Sequence, residues 1–388
     1  MQRKSNTIRA TKNGSRNKKA ITTLNPRDLV QSASKEVQKP YMPSTTYEES
    51  NLHRTLKRNL VNKGYEKPTE IQEKTLTTLL AGHNVIGIAS TGTGKTAAFL
   101  IPLIERMITD NTYTGLVVVP TRELAQQVHQ EFMMLTKAIK VFSACFIGGT
   151  NVKEDIKKAR LRHNFIVGTP GRLVDLMQQQ ALNVTEIKAL VIDEFDCMLD
   201  MGFVKAIKSI ANAMKKRQQT MLFSATIKNN QQAIVHELVG EARQIAVSSG
   251  KASSANVEQN IIKVSEYQNK FEILAELLHD HSFKKVILFT ETKRGVDQLY
   301  KKLTKNGIKA DVIHGNKSQN YRTKAIDLFK KGKTRVLVAT DVASRGIDID
   351  NITHVINYQI PQTMDSYIHR IGRTGRAGKK GMAYTFIN

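Results

Sequence analysis

Short runs of β-branched and aliphatic residues recur along this chain from residue 85 onward, each ending in a cluster of small or polar residues. The first series reads VIGIAS, LVVVPT, ACFIGG, FIVGTP, ALVIDE, MLFSAT and RQIAVS, with stretches of helical length between them. That alternation is the signature of βαβ units feeding a parallel sheet. A Ser/Gly/Ala/Asn-rich stretch, SSGKASSANVEQN at 248–260, interrupts it and reads as a linker. The pattern then restarts as IIKVS, KVILFTET, KADVIHG, RVLVATD, THVINYQ and MAYTFIN. The expected fold class is α/β, with two lobes of roughly 200 and 130 residues, each a mostly parallel sheet flanked by helices. The boundaries expected are a tail at 1–46, a first lobe at 47–248, a short flexible linker at 249–258 and a second lobe at 259–388. Nearly every polar cluster lies at the C-terminal end of an apolar run, where open α/β sheets place their ligand loops. Two lobes imply a cleft.

Charge narrows the partners. Against 34 acidic residues stand 59 Lys and Arg, a net +25, which makes a polyanion the first partner to suspect. Charge alone does not separate nucleic acid from an anionic membrane, but no apolar run approaches the ~20 residues that span a bilayer, so no membrane partner is expected. Cys145 and Cys197 lie far apart with no CxxC or Cys/His spacing, which argues against a disulfide scaffold and a structural zinc site and suits small buried hydrophobes in a reducing, cytoplasmic compartment. Residues 1–46 are rich in Lys, Arg, Ser, Thr and Asn and read as a mobile basic tail. Its roles are a tether that concentrates nucleic acid, a merely solvated extension, or an organelle transit peptide; no hydrophobic stretch makes it a secretory signal.

The most specific motif is ASTGTGKT at 89–96, set between the strand-like VIGI and the helical AAFLIPLIERM. This is the context a phosphate-binding loop requires. Ser90, Thr91, Gly92, Thr93 and Gly94 form the cradle, the two glycines letting backbone amides approach phosphate. Lys95 reaches the outer phosphates, and the Thr96 hydroxyl is suited to Mg²⁺. Ala89 stands where the generic motif has Gly. Such a loop holds phosphates but does not activate water. ALVIDEFD supplies the second half: a strand ends in Asp193 and Glu194, one carboxylate for the metal and a neighbour to orient or deprotonate the attacking water.

With these motifs in order, residues 47–388 resemble a DEAD-box helicase of superfamily 2, with wording such as LDMGF, LFTETK and HGNKSQ most similar to the bacterial RhlE-type branch. The resemblance implies two RecA-like lobes and an ATP-dependent RNA helicase using ATP and Mg²⁺. GYEKPTEIQ resembles the family's Q motif, so Gln72 would read the adenine edge, and Tyr47 sits where an upstream aromatic, usually Phe, stacks on the base. PTRELAQQ, Gly148-Gly149 and TPGR resemble its RNA-backbone motifs, which carries RNA contact to Pro120, Thr121, Arg122, Gly149, Thr169, Gly171 and Arg172. In the second lobe LFTETKRG, HGNKSQNYR and ATDVASRGID bring Thr290, Gly315, Gln319, Arg322 and Thr340 to the RNA and Asp348 to the ribose. HRIGRTGR implies Arg373 and Arg376 as arginine fingers. SAT at 224–226 resembles the element linking hydrolysis to closure, so Asp196, Ser224, Thr226 and His369 are expected to couple the lobes, and His314 is another candidate contact.

Two departures stand out. The signature tetrapeptide is DEFD, with Phe195 in place of Ala, so packing must widen for the ring. The chain also stops inside the last strand-like run, where relatives continue into a helix that would cover an apolar face. Low aromatic content, 6% with no Trp, argues for backbone recognition of single-stranded RNA and short duplexes, with the 2′-hydroxyl separating RNA from DNA. A monomer acting on ribosomal or messenger ribonucleoprotein is expected. An RNA clamp with a feeble ATPase is the alternative, and a DNA translocase is disfavoured by PTRELA together with the Q motif.

Overall fold

The computed structural model describes residues 24, 29, 41–90, 92–247, 256–344, 349, 351–375 and 379–387. In the first lobe the elements are α1 (Arg54–Asn62), α2 (Glu70–Leu80), β1 (Val85–Ile88), α3 (Lys95–Thr109), β2 (Gly115–Val118), α4 (Arg122–Leu135), β3 (Ser143–Phe146) and α5 (Val152–Ala159). They continue with β4 (Phe165–Gly168), α6 (Pro170–Gln178), β5 (Ala189–Ile192), α7 (Phe195–Asp200), α8 (Val204–Ala213), β6 (Gln219–Ser224), α9 (Gln232–Val239) and β7 (Arg243–Ala246). The second lobe holds β8 (Val257–Lys263), α10 (Lys270–His279), β9 (Val286–Phe289), α11 (Lys293–Lys305), β10 (Ala310–Ile313), α12 (Gln319–Lys330) and β11 (Val336–Ala339). It closes with α13 (Asp341–Ser344), β12 (His354–Asn357), α14 (Met364–Ile371) and β13 (Gly381–Ile387).

Every apolar run of the sequence becomes a strand, and every strand pairing is parallel. The sheet orders are β3-β4-β2-β5-β6-β1-β7 and β10-β11-β9-β12-β13-β8. The central strands β2, β4, β5, β6, β9, β11 and β12 are buried along their whole length because helices cover both sheet faces. Gly87 in β1 has a packing reason: a Cβ there would sit 2.5 Å from the ring of Phe223 on neighbouring β6.

This order sorts the motifs. The loops after β5, β6 and β1, which carry DEFD, SAT and the phosphate-binding loop, leave three adjacent strands. The loops after β3, β4 and β2, which carry the glycine pair, TPGR and PTRELA, leave the three strands on the other side of β5. One half of the sheet edge carries the motifs expected at the nucleotide and the other those expected at RNA. Small polar residues at these junctions double as helix caps: Thr121 accepts from the Leu124 amide, Asn151 from Lys153 and Ser318 from Tyr321.

Three expectations need correction. The tail does not run to residue 46. Ser44 donates its amide to Glu73 on α2 at 2.9 Å and Tyr41 bonds the same carboxylate, so residues 41–46 belong to the first lobe. Leu29 lies fully buried in the second lobe's core beside Val257 and Ile371, with Leu24 packed against that cluster and the Leu29 carbonyl 3.2 Å from the Tyr367 hydroxyl. Scattered apolar residues in a basic stretch were thus docking residues. The rest of 1–40 lies outside the described residues. The linker also ends early: Val257 and Glu258 already pair with Gly381 and Met382, so β8 begins at 257. VEQN looks like linker because Gln259 is polar, yet that side chain is buried and accepts from Tyr367 at 2.9 Å.

Candidate nucleotide and RNA site

At the nucleotide half, Gly94 takes φ 91° as N-cap of α3, a conformation favouring glycine, and presents the helix's first amides to the loop. Thr93 holds the loop by donating to the Ser90 carbonyl at 2.8 Å. Lys95 is buried and donates to the Ala89 carbonyl at 2.7 Å, an acceptor that phosphate oxygens would replace. Thr96 is half-buried at the head of the helix, and Thr91 lies outside the described residues.

Asp193 and Glu194 follow β5, both buried. Burial pushes the Asp193 carboxyl up to about 7, with Lys95 pulling it down and Glu194 adding to the rise. Glu194 sits in the left-handed region at φ 53°, and its buried Oε2 has no hydrogen-bond partner among the described residues. A left-handed non-glycine residue carrying an unsatisfied buried oxygen is strain of the kind functional sites retain. A buried carboxylate pair in need of positive charge fits a hard divalent cation. With Asp193 and Thr96 as its few protein ligands, such an ion would keep waters and phosphate oxygens, as Mg²⁺ does. Among the described residues no cluster of three His, Cys, Asp or Glu forms a cage.

Phe195 is fully buried in the core with Ile192 and Met198 around it, so the ring is accommodated and both acids keep their places. This removes the packing reason for an impaired ATPase. Asp196, the last acid of DEFD, bridges to SAT: its Oδ2 accepts the amides of Ala225 and Thr226, each at 3.2 Å, while its own amide donates to Ser224 Oγ at 3.2 Å. Ser224 in turn donates to the Thr226 carbonyl at 2.6 Å. His369 of the second lobe stands 3.9 Å from the same Oδ2. All four expected coupling residues therefore meet.

Gln72 and Tyr47 meet too, in an unexpected way. The Tyr47 ring is 1% exposed and belongs to the first-lobe core, so it offers no open face for stacking; its hydroxyl instead donates to Gln72 Oε1 at 2.8 Å. The larger polar tip of Tyr, compared with Phe, finds a buried acceptor there.

On the RNA half, a cavity of about 520 Å³ is lined by Pro120, Thr121, Arg122, Gly148, Thr169, Gly171, Arg172 and Arg322. Met201 and Phe203 of LDMGF line it as well. A second cavity of about 820 Å³ lies between the lobes, with Gly149 and Gln126 on one side and Gln319, Lys324, Lys331 and Lys333 on the other. Between the two runs a lobe-to-lobe clamp. Buried Glu123 accepts from Arg322 Nη2 at 2.7 Å and from Gln319 Nε2 at 3.2 Å, and Arg122 reaches Gln319 Oε1 at 3.5 Å. A further surface pair joins Lys228 to Asp365 at 2.6 Å.

Several expected RNA contacts are thus committed inside the protein. Arg322 and Gln319 close the lobes. Arg172 is buried against Asp155 and donates to Thr150 Oγ1 at 3.0 Å, tying TPGR to the glycine-pair loop. Thr290 donates to Gln359 at 2.7 Å, and His314 is buried against Asp297 at 3.1 Å. Gly315 is exposed, and Thr340 is buried at the start of α13. Arg373 is buried with its Nε donating to the His369 carbonyl at 3.3 Å, while Asp348 and Arg376 lie outside the described residues. Sequence reasoning missed Glu123, Gln359 and Asp365. Glu123 lay within PTRELAQQ and Gln359 at the end of THVINYQ, yet nothing local points to a partner 199 residues away, as Glu123 has in Arg322.

A parallel-sheet lobe with a phosphate loop and an acid pair, clamped to a second such lobe through PTRELA, defines a two-lobed α/β protein built around a candidate nucleotide site. The sequence profiles of the DEAD/DEAH box helicases and of the helicase conserved C-terminal domain match residues 69–234 and 269–378. The chain belongs to the DEAD-box helicase family. It is 41% identical over 344 residues to the DEAD-box ATP-dependent RNA helicase CshA of Bacillus cereus, covering 88% of this chain and 65% of that protein. CshA of Geobacillus kaustophilus is 40% identical, with 88% and 73% covered. The chain thus spans about two thirds of the length of these relatives, which are CshA proteins and carry no sign of the RhlE-type branch in their names. S. cerevisiae Dbp5 bound to RNA and ADP BeF3 superposes with a TM-score of 0.80 at 31% identity, covering 89% of this chain and 90% of that one. Mss116 bound to single-stranded RNA and UDP-BeF gives 0.80 at 28% identity, with 90% and 76% covered.

Proposed function

We propose that the chain is an RNA-stimulated ATPase that uses closure of its two lobes to grip single-stranded RNA and separate short duplexes locally. The observation that carries this is the Asp196 bridge: one carboxylate, two residues beyond Glu194, is bonded to SAT and faces His369 of the other lobe. Turnover and closure then share atoms. Likeness to Dbp5 in a state bound to RNA and ADP BeF3 supports reading this arrangement as the closed one.

In this reading Lys95 and the amides at the head of α3 hold the outer phosphates, and Glu194 takes the proton of the attacking water. Asp193 and Thr96 would hold Mg²⁺, which would supply positive charge beside the phosphates. Arg373 and Arg376 of the second lobe stabilise charge in the transition state, a contribution of about 10³–10⁵ in rate for arginine fingers generally, available only when the lobes meet. The cavity at Pro120, Arg122, Gly148 and Gly171 takes the RNA backbone, with Thr340 and Gly315 approaching from the other lobe. Because the clamp forms only on closure, nucleotide and RNA each favour the other's binding. Both halves of the site come from one chain, so a monomer suffices. Cytoplasmic ribosomal or messenger ribonucleoprotein is the setting this reading suits, supported by backbone-directed contacts and by two cysteines that form no disulfide.

The test is steady-state ATP hydrolysis without nucleic acid, with single-stranded RNA and with matched DNA, using Lys95→Ala to subtract contaminating activity. Strong Lys95-dependent stimulation by RNA alone is expected. RNA binding without such hydrolysis would refute the proposal and favour a passive clamp.

A further inference from the structure

We propose that the Tyr47 hydroxyl sets base selectivity at the nucleotide site, by occupying the Gln72 lone pair that would otherwise accept from the exocyclic amine of adenine. This rests on the ATP reading above and on Gln72 meeting the base.

The orientation of the Gln72 amide is fixed by two backbone groups of opposite kind. The Thr69 amide, which can only donate, lies 2.8 Å from Oε1, and the Gly94 carbonyl, which can only accept, lies 3.0 Å from Nε2. Flipping the amide would set donor against donor and acceptor against acceptor. Oε1 has two lone pairs; the second is taken by the Tyr47 hydroxyl at 2.8 Å. The oxygen is full, and one Nε2 hydrogen is left over.

Neither partner is free to drift. The Tyr47 ring is buried in the first-lobe core, its amide donates to Glu66 at 3.0 Å, and its carbonyl accepts from the Ser50 amide at 3.3 Å. On the other side Gly94 allows the amide its close approach, since a Cβ there would lie 2.4 Å from Gln72 Nε2. A Phe at position 47 would fill the same core and leave Oε1 one open acceptor.

The consequence is chemical. A base facing Gln72 meets a donor and no open acceptor. A purine ring nitrogen satisfies that donor equally well in adenine and guanine, so the adenine amine contributes little to binding. Tyr47 acts here as a positioning residue: it touches Gln72, not the base.

The experiment measures equilibrium binding of three triphosphates to the full chain and to Tyr47→Phe, with thermal melts of both. The ligands are ATP, purine riboside triphosphate, which lacks the amine, and the deaza analogue in which the ring nitrogen beside the amine is C–H. For the wild-type chain, losing the amine is expected to change Kd less than about twofold and losing the ring nitrogen to weaken binding about 3–10-fold, the range of one hydrogen bond. In Tyr47→Phe, losing the amine should now cost about 3–10-fold, a change that general loosening of the fold would not direct at one atom of the ligand. Equal amine sensitivity in the two proteins overturns the inference. Should Tyr47→Phe fail to fold, the wild-type series decides alone: an amine loss as costly as the ring-nitrogen loss overturns it, and indifference to the amine supports it. If no triphosphate binds, the ATP reading fails and takes this inference with it, an outcome distinct from binding with unchanged selectivity.

Discussion

Glu123→Gln isolates the lobe clamp, because it keeps the shape of the side chain and removes its charge. In the closed arrangement Glu123 and Arg322 are both buried, and Arg322 Nε has no hydrogen-bond partner among the described residues, so the 2.7 Å bond from Nη2 carries much of the guanidinium's compensation. Burial already pulls the Arg322 pKa down, with Glu123 opposing that pull. Opening the lobes returns both groups to water, so the substitution acts on closure and not on the stability of either lobe. A hydrogen bond to a charged group contributes about 1.5–3 kcal/mol, which corresponds to roughly 10–150-fold in the closed-to-open ratio. Single-stranded RNA affinity with a non-hydrolysable ATP analogue, read by fluorescence anisotropy, should fall by about that factor. Nucleotide affinity without RNA and the thermal midpoint should stay as in the wild type. Combining Glu123→Gln with Arg322→Gln in a double-mutant cycle should recover most of the same energy as coupling. Nucleotide-dependent RNA affinity within twofold of wild type would refute the clamp.

Other substitutions probe the nucleotide half. Glu194→Gln should retain nucleotide and RNA binding while hydrolysis falls about 10²–10⁴-fold, the range for a general base; turnover at the wild-type rate would remove Glu194 from that role. Gly94→Ala forces a Cβ to within 2.4 Å of Gln72 Nε2 at φ 91°, so nucleotide affinity should drop at least tenfold, checked by titration beside a thermal melt. His354, stacked on Phe283 at 3.9 Å, has its pKa held down from 6.5 to about 4 by burial, so the folded state resists its protonation. Its contribution to stability is complete above pH 6.5 and is lost as pH falls toward 4, by at most about 3 kcal/mol and less after solvent screening. The stability difference between wild type and His354→Gln should therefore change between pH 7 and 4.5, and a pH-independent difference in denaturant melts would contradict it.

What could be read from the sequence was whatever a strand carries at its end. Buried parallel strands leave unmistakable apolar runs, and a phosphate loop or acid pair must follow them directly, so Lys95, Asp193 and Glu194 were legible from local order alone. Pairings between distant segments were not. Arg322 and Gln319 read as RNA contacts because basic and amide side chains suit phosphate, yet their partner is Glu123 across the cleft. Arg172 likewise spends its charge on buried Asp155. Tyr47 reads as a stacking ring by position, whereas its burial depends on core packing that no local pattern encodes. Leu29 hid for the opposite reason: two leucines within a basic, polar stretch cannot signal a core of their own, since the core they complete is built by β8 and α14 of the second lobe.

That docking gives the molecule a second leash. Leu29 rests on the second lobe and Tyr41 on the first, so about a dozen residues connect the lobes in parallel with the stretch between Val247 and Asn256. Fully extended, the first spans roughly 40 Å and the second roughly 30 Å. While Leu29 stays seated, the chain forms a closed ring through both lobes, and relative motion is confined to swings that respect both lengths. Release of that single leucine would remove the limit that the first segment sets on how far the lobes can part.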